Sequence, residues 1–133
     1  MCLRQPIDDG MSFVLSNPAT IAQQGPFDLI FCMAVLQRTP CSVEAKRMTS
    51  LKKLYPFERF DLQVTELDSY LRDVGVLVIH LKQYLFRDSS VASNYEALDS
   101  GQFPTAYSPS YDRNSRRVDG VGSAGSIFRK VRK

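Results

Sequence analysis

The chain has 133 residues, of which 44% are hydrophobic and 23% charged, a balance that is typical of one globular domain and excludes wholesale disorder. Its formal net charge of +3 at pH 7 is mild and does not favour a nucleic-acid partner. The three cysteines and one histidine lack the spacing of a zinc site, so we expect reduced thiols, no bound metal and a cytoplasmic location. All apolar runs are far shorter than the ~20 residues of a membrane span, and no membrane contact is expected.

Two signals for strands and turns open the chain. Residues 12–15 are a short apolar run that ends at Ser16-Asn17-Pro18, a turn sequence. Residues 27–35 (FDLIFCMAV) are apolar with almost no alternation. This pattern predicts a strand buried on both faces, as in a parallel sheet.

Helical periodicity follows this strand. Residues 39–55 begin with Thr-Pro, a helix-start signal, and carry apolar side chains at roughly helical spacing until Pro56 interrupts them. Beyond Pro56 the apolar residues step by four, three and four, which predicts one buried helical face made of Phe60, Val64, Leu67 and Leu71. We expect this helix to stop at Asp73-Val74-Gly75, where glycine can adopt a left-handed cap.

A second buried strand is predicted at residues 76–80 (VLVIH). Strand, helical crossover and strand make a βαβ unit. Such a sheet must be covered on both faces, so we predict an α/β protein with three layers and a mainly parallel sheet. Residues 1–133 would form a single domain, with residues 12–80 as its strand-helix-strand core.

The last third of the sequence predicts less regular structure. Residues 81–125 are expected to be rich in loops, with a short helix at Val91–Leu98 and a strand near Phe103–Tyr107. Residues 126–132 predict a closing strand. Its basic side chains indicate a solvated sheet edge guarded by charge.

One glycine motif has the spacing of a phosphate-binding loop, at Gly120-x-Gly122-x-x-Gly125. That mechanism requires a strand before the loop and a helix after it. The eight residues after Gly125 are basic and β-like, so we interpret the motif as a turn before the last strand.

Two side chains at strand ends are candidates for chemistry. His80 ends the second predicted strand, and the carboxyl ends of strands line the ligand crevice of open α/β sheets. It is therefore a weak catalytic candidate, with a structural hydrogen-bonding role as the commoner alternative. For Cys32 a buried, unreactive thiol is favoured over a nucleophile.

Three segments resemble a known family in their order and spacing. Gly25–Arg38 (GPFDLIFCMAVLQR) resembles the fourth-strand region of class I S-adenosylmethionine-dependent methyltransferases, especially the chemotaxis-receptor methyltransferases. Leu67–His80 is similar to the family's helix, turn and fifth strand, with Asp-Val-Gly in place of Pro-Gly-Gly. The final SIFRKVRK resembles the antiparallel seventh strand that closes such domains.

The resemblance implies a partial Rossmann-like sheet and S-adenosylmethionine as cofactor. It implies that Asn17 and Pro18 meet the adenine, and that Cys32, Met33 and Ala34 lie beside the methionine part. Met33-Ala34 replace the Arg-Asn of the receptor-modifying enzymes, so the resemblance does not imply a glutamate carboxyl as methyl acceptor.

Nothing in the sequence matches the family's first two strands or its glycine-rich cofactor loop. We therefore expect a truncated methyltransferase domain, weakly active or inactive alone, that transfers a methyl group to an unknown acceptor. The alternative hypothesis is a non-catalytic interaction module, derived from a methyltransferase half-fold, that self-associates through an exposed sheet edge.

Overall fold

The computed structural model describes residues 17–33, 36, 48–80, 82–98, 110–118 and 127–131. Its α-helices are α1 (Pro18–Gln24) and α2 (Phe57–Tyr70). The strands are β1 (Phe27–Met33), β2 (Leu71–His80), β3 (Tyr95–Ala97), β4 (Ser110–Tyr111), β5 (Arg117–Val118) and β6 (Ile127–Lys130). Two 3-10 turns, Phe86–Asp88 and Ala92–Asn94, join β2 to β3.

In the described part of the chain the main sheet has four strands, in the order β1-β2-β6-β3. β1 and β2 are parallel, whereas β6 is antiparallel to both of its neighbours, β2 and β3. The predicted strand-helix-strand unit and closing strand are therefore confirmed, and the protein is mixed α/β. β1, β2 and β3 run in one direction, but only the β1–β2 pairing is parallel, so the sheet is mixed rather than mainly parallel.

One face of the sheet carries the core. Every second residue of a strand points to this face, because side chains alternate along a strand. α2 packs on this face through Phe60 and Val64, both of which are fully buried. Sheet residues that contribute to the core include Ile30, Cys32, Leu71, Leu77, Ile79, Tyr95 and Phe128.

The opposite face of β1 is open. Leu29, Phe31 and Met33 are 46%, 65% and 53% exposed. A sheet covered on both faces was expected from the unbroken apolar sequence of this strand. Within the described residues no helix lies on this face, so the predicted third layer is not found among them.

The junction between α2 and β2 differs from the prediction. The helix ends at Tyr70 rather than at residues 73–75, and the strand begins at once with Leu71. The pairing with β1 jumps from Phe27–Leu71 to Leu29–Val76, so residues 72–75 bulge out of the ladder.

Val74, and not the neighbouring glycine, takes the left-handed conformation in this bulge, with φ of 60°. Gly75 has a different role. A Cβ atom on Gly75 would lie 2.8 Å from the carbonyl oxygen of Arg72, so the close approach of the two backbone segments requires glycine.

Two predicted helices are wrong where the structure describes them. Ala92–Asn94 is a single 3-10 turn and Tyr95–Ala97 is a strand, because these residues extend the sheet beside β6. Residues 48–55 contain a β-bridge at Ser50 and a turn in which Leu51 O accepts from the amides of Leu54 and Tyr55. The apolar run at 12–15, the predicted strand near 103–107 and the glycine motif at 120–125 lie outside the described residues.

The closing strand is not the solvated edge that its basic residues suggested, because β6 lies between β2 and β3. Lys130 turns inward. Its Nζ is 3.2 Å from a carboxylate oxygen of Asp68 and donates to the carbonyls of Asp68 (2.7 Å) and Leu71 (3.0 Å). α2 has no basic residue in its own last turn, so β6 supplies the cation that stabilises its carboxyl end.

Candidate functional site

An aromatic cluster marks the carboxyl end of β1 and β2. α2 connects these parallel strands, so its amino end lies on the side where both strands finish. There the ring of Tyr84 lies 5.5 Å from that of Phe57, 5.3 Å from that of Phe60 and 6.2 Å from that of Tyr111, measured between centroids. This packed aromatic cluster lies next to the candidate sites described below.

The tyrosines of this cluster serve packing and hydrogen bonding. The hydroxyl of Tyr84 donates to the carbonyl of Tyr55, and that of Tyr111 donates to the carbonyl of Met48 at 2.9 Å. Burial raises the pKa of Tyr55, Tyr84 and Tyr111. These hydroxyls therefore stay protonated and are unsuited to act as bases near neutral pH.

Beside the aromatic cluster, α1, α2 and the end of β1 form an apolar cleft. Its volume is about 310 Å³, at the lower end of the range for small-molecule sites. We call it the α1–α2 cleft. Its lining residues are Asn17, Pro18, Ile21, Cys32, Leu36, Gln63, Glu66, Leu67 and Tyr70.

Asn17 stands at the rim of the cleft as the N-cap of α1. Its side-chain Oδ1 accepts from the amide of Thr20 at 3.0 Å, and the Thr20 hydroxyl lies 3.2 Å from the Asn17 amide, which completes a capping box. Pro18 occupies the first helical turn, where its missing N–H costs nothing. The Ser16-Asn17-Pro18 sequence, which predicted a turn, therefore begins a helix. The cap uses the Oδ1 atom of Asn17 and leaves its Nδ2 donors for a second partner.

Cys32 forms the inner wall of the cleft. It is 5% exposed, and burial raises the pKa of its thiol, outweighing an opposing hydrogen bond with the backbone of Leu36. The thiol stays neutral at physiological pH and behaves as a small apolar side chain. The prediction that Cys32 is buried is confirmed.

Met33 and His80 are placed elsewhere. They pair with each other across β1 and β2, and both are exposed on the open face of the sheet. They are therefore separated from Asn17, Pro18 and Cys32, which share the α1–α2 cleft on the other face. Ala34 lies outside the described residues.

Sequence reasoning missed the contribution of α2 to this cleft. Gln63, Glu66 and Tyr70 lie beside the core stripe, at positions that share a helical face. The Tyr70 hydroxyl donates to Glu66 Oε1 at 3.0 Å, and Gln63 Oε1 accepts from the hydroxyl of Tyr55. The helical spacing of residues 63, 66, 67 and 70 was the signal that these side chains share a face. Only the neighbouring apolar stripe was used for the prediction.

Comparison of this chain with models of protein families, with curated proteins and with solved structures finds no match. In the described part of the chain, no helix has the length and apolar character needed to cross a membrane. Among the same residues, no three His, Cys, Asp or Glu side chains come together as metal ligands could.

Proposed function

We propose that this chain is an S-adenosylmethionine-dependent methyltransferase domain and that the α1–α2 cleft receives the adenosyl part of the cofactor. One observation carries the proposal. Asn17, Pro18 and Cys32 were selected on sequence resemblance, and all three line the same cleft on the covered face of the sheet.

The order of the strands supports this proposal. The resemblance implies an antiparallel last strand that closes the sheet. Here the last strand, β6, is likewise antiparallel and pairs with β2, which carries the resemblance to the fifth strand. β3 then continues the sheet in the direction of β1 and β2.

The cleft has suitable groups for an adenosine. Ile21, Leu36 and Leu67 offer apolar walls for a flat ring, and the Nδ2 donors of Asn17 can bond a ring nitrogen. The carboxylate of Glu66 can accept from a sugar hydroxyl. The cofactor supplies an activated methyl group, so the residues of this chain need only bind and orient it.

Titration calorimetry with S-adenosylmethionine tests the proposal directly. We expect saturable binding to the purified chain, and at least a roughly tenfold weakening in Ile21→Trp, because the indole fills the cleft. Gln23→Trp is the matched control, since Gln23 is exposed on the same helix and does not line the cleft. Absence of binding, or equal weakening in both folded variants, would refute the assignment.

A second candidate function, self-association through β1, is favoured by a separate observation. Among the described strands, β1 is at the end of the sheet and exposes three large apolar side chains, Leu29, Phe31 and Met33. An end strand offers unpaired backbone groups, and a second copy pairing there would continue the sheet and bring its own side chains alongside these three. We propose this homodimer as the alternative to catalysis.

Sedimentation equilibrium distinguishes this alternative. The unmodified chain should sediment as a dimer that Phe31→Lys converts to monomer, because the charge faces the contact. Leu62→Lys should remain dimeric, since Leu62 is 70% exposed but lies on α2. A wild-type chain that is monomeric at high concentration, or a dimer unaffected by Phe31→Lys, contradicts the interaction-module hypothesis.

A further inference from the structure

A second concave site lies on the same side of the sheet, next to the amino end of α2. It has a volume of about 500 Å³, larger than the α1–α2 cleft, and no described residue lines both. We call it the basic pocket. It is lined by Thr49, Ser50, Lys52, Glu58, Arg113, Asn114, Ser115 and Arg116.

The loop that forms one wall of the basic pocket is firmly held. Asp112 Oδ1 accepts from the amides of Asn114 and Arg116 at 2.8 and 2.9 Å, so this carboxylate is occupied within the loop. Ser115 is buried, and its hydroxyl accepts from the amide of Phe57, the first residue of α2, at 2.9 Å. The loop therefore presents its side chains from a fixed backbone.

Arg113 is oriented by two contacts. Its Nε donates to the carbonyl of Asp88 at 2.9 Å, and its guanidinium carbon lies 5.9 Å from the centre of the Phe57 ring. These contacts use one of the five guanidinium donors and leave the terminal nitrogens for a ligand. Arg113 is thus a pre-oriented cation at the pocket wall.

The charge of the basic pocket is unbalanced. Among its described lining residues, Lys52, Arg113 and Arg116 stand against one carboxylate, Glu58. The salt bridges found among the described residues use other cations, namely Arg72, Arg129 and Lys130. The amino end of α2, whose N-cap Pro56 makes no side-chain cap bond, adds a partial positive charge to the same region.

Two planar guanidinium groups and an ammonium group around a concavity match the oxygens of a phosphate better than a single carboxylate. We propose that the basic pocket binds a small molecule through a phosphate or diphosphate group. The hydroxyls of Thr49 and Ser50 and the amide of Asn114 would bond the rest of that molecule. This site is independent of the proposed cofactor cleft.

Pyrophosphate is the probe for this site, measured by titration calorimetry on the full chain at pH 7 and low ionic strength. We expect saturable binding that weakens as salt is added. Arg116→Gln and Lys52→Gln should each weaken it by about tenfold, because each removes one charge-assisted contact. Both side chains are exposed, so neither variant should disturb the fold.

Lys53→Gln is the matched control, because it removes the same charge next to Lys52 but Lys53 does not line the pocket. Binding that is unchanged in Lys53→Gln and weakened in the two pocket variants supports the site. Equal weakening in all three variants would mean that pyrophosphate is attracted by the overall positive charge of the chain, which overturns the proposed site. Absence of saturable binding would also overturn it. Arg113→Lys, which keeps the charge but loses the planar fork, should bind pyrophosphate more weakly than wild type.

Discussion

β1 and β2 are neighbouring parallel strands with similarly apolar sequences, yet they lie in different surroundings. β2 lies between β1 and β6, and on the face opposite the core its Val76 and Val78 are half-buried. Among the described strands β1 is at the end of the sheet, and its Phe31, on the same face, is 65% exposed. The difference shows that hydrophobicity along a strand predicts the strand itself, whereas its neighbours in the sheet determine how far the side chains of a given face are covered.

The largest expected difference in stability between the covered and the open face of the sheet is between two phenylalanine-to-alanine variants. Phe60→Ala on α2 should lower the free energy of unfolding by about 3–5 kcal/mol, because Phe60 is fully buried against the sheet. Phe31→Ala on β1 should change it by less than about 0.5 kcal/mol. Urea unfolding followed by circular dichroism measures both. Similar losses would show that the open face of β1 is covered in solution.

A smaller effect is expected where β6 meets the end of α2. Lys130→Met should cost about 2 kcal/mol, because it leaves Asp68 and two carbonyls without their cation in a mostly buried position. Arg129→Met is the control. Its ion pair with Glu96 is half exposed and should contribute below about 0.5 kcal/mol in the same urea experiment. Equal costs would contradict the capping role of Lys130.

The smallest effect concerns Cys32 and alkaline pH. Burial holds its pKa above the ordinary value of 9.0, so the folded thiol keeps its proton when the unfolded thiol loses it. This contribution to stability is complete below pH 9 and is lost as pH rises from there towards the folded pKa. Cys32→Ala should therefore lose less stability than wild type as the pH rises above 9. Identical pH slopes in thermal or urea unfolding would contradict the burial of the thiol.

The α1–α2 cleft was partly predictable. Asn17, Pro18 and Cys32 were selected from a resemblance, and they share the cleft although fourteen residues separate Pro18 from Cys32 in the sequence. Gln63, Glu66 and Tyr70 were not foreseen, because a polar helical stripe next to a core stripe is normally a solvated face. The basic pocket was not predicted either, since its cations come from two segments more than sixty residues apart.

The sequence alone determined the local elements whose signals are short-range. The run around Phe31 predicted a strand, and the Phe60–Val64–Leu67 stripe predicted a helix, because both depend on the periodicity of neighbouring side chains. Only the tertiary structure decided where these elements lie. Pairing with β6 made Tyr95–Ala97 a strand and turned Lys130 inward, and the described helices pack on only one face of β1. These outcomes depend on hydrogen bonds and burial between distant segments, which no local pattern records.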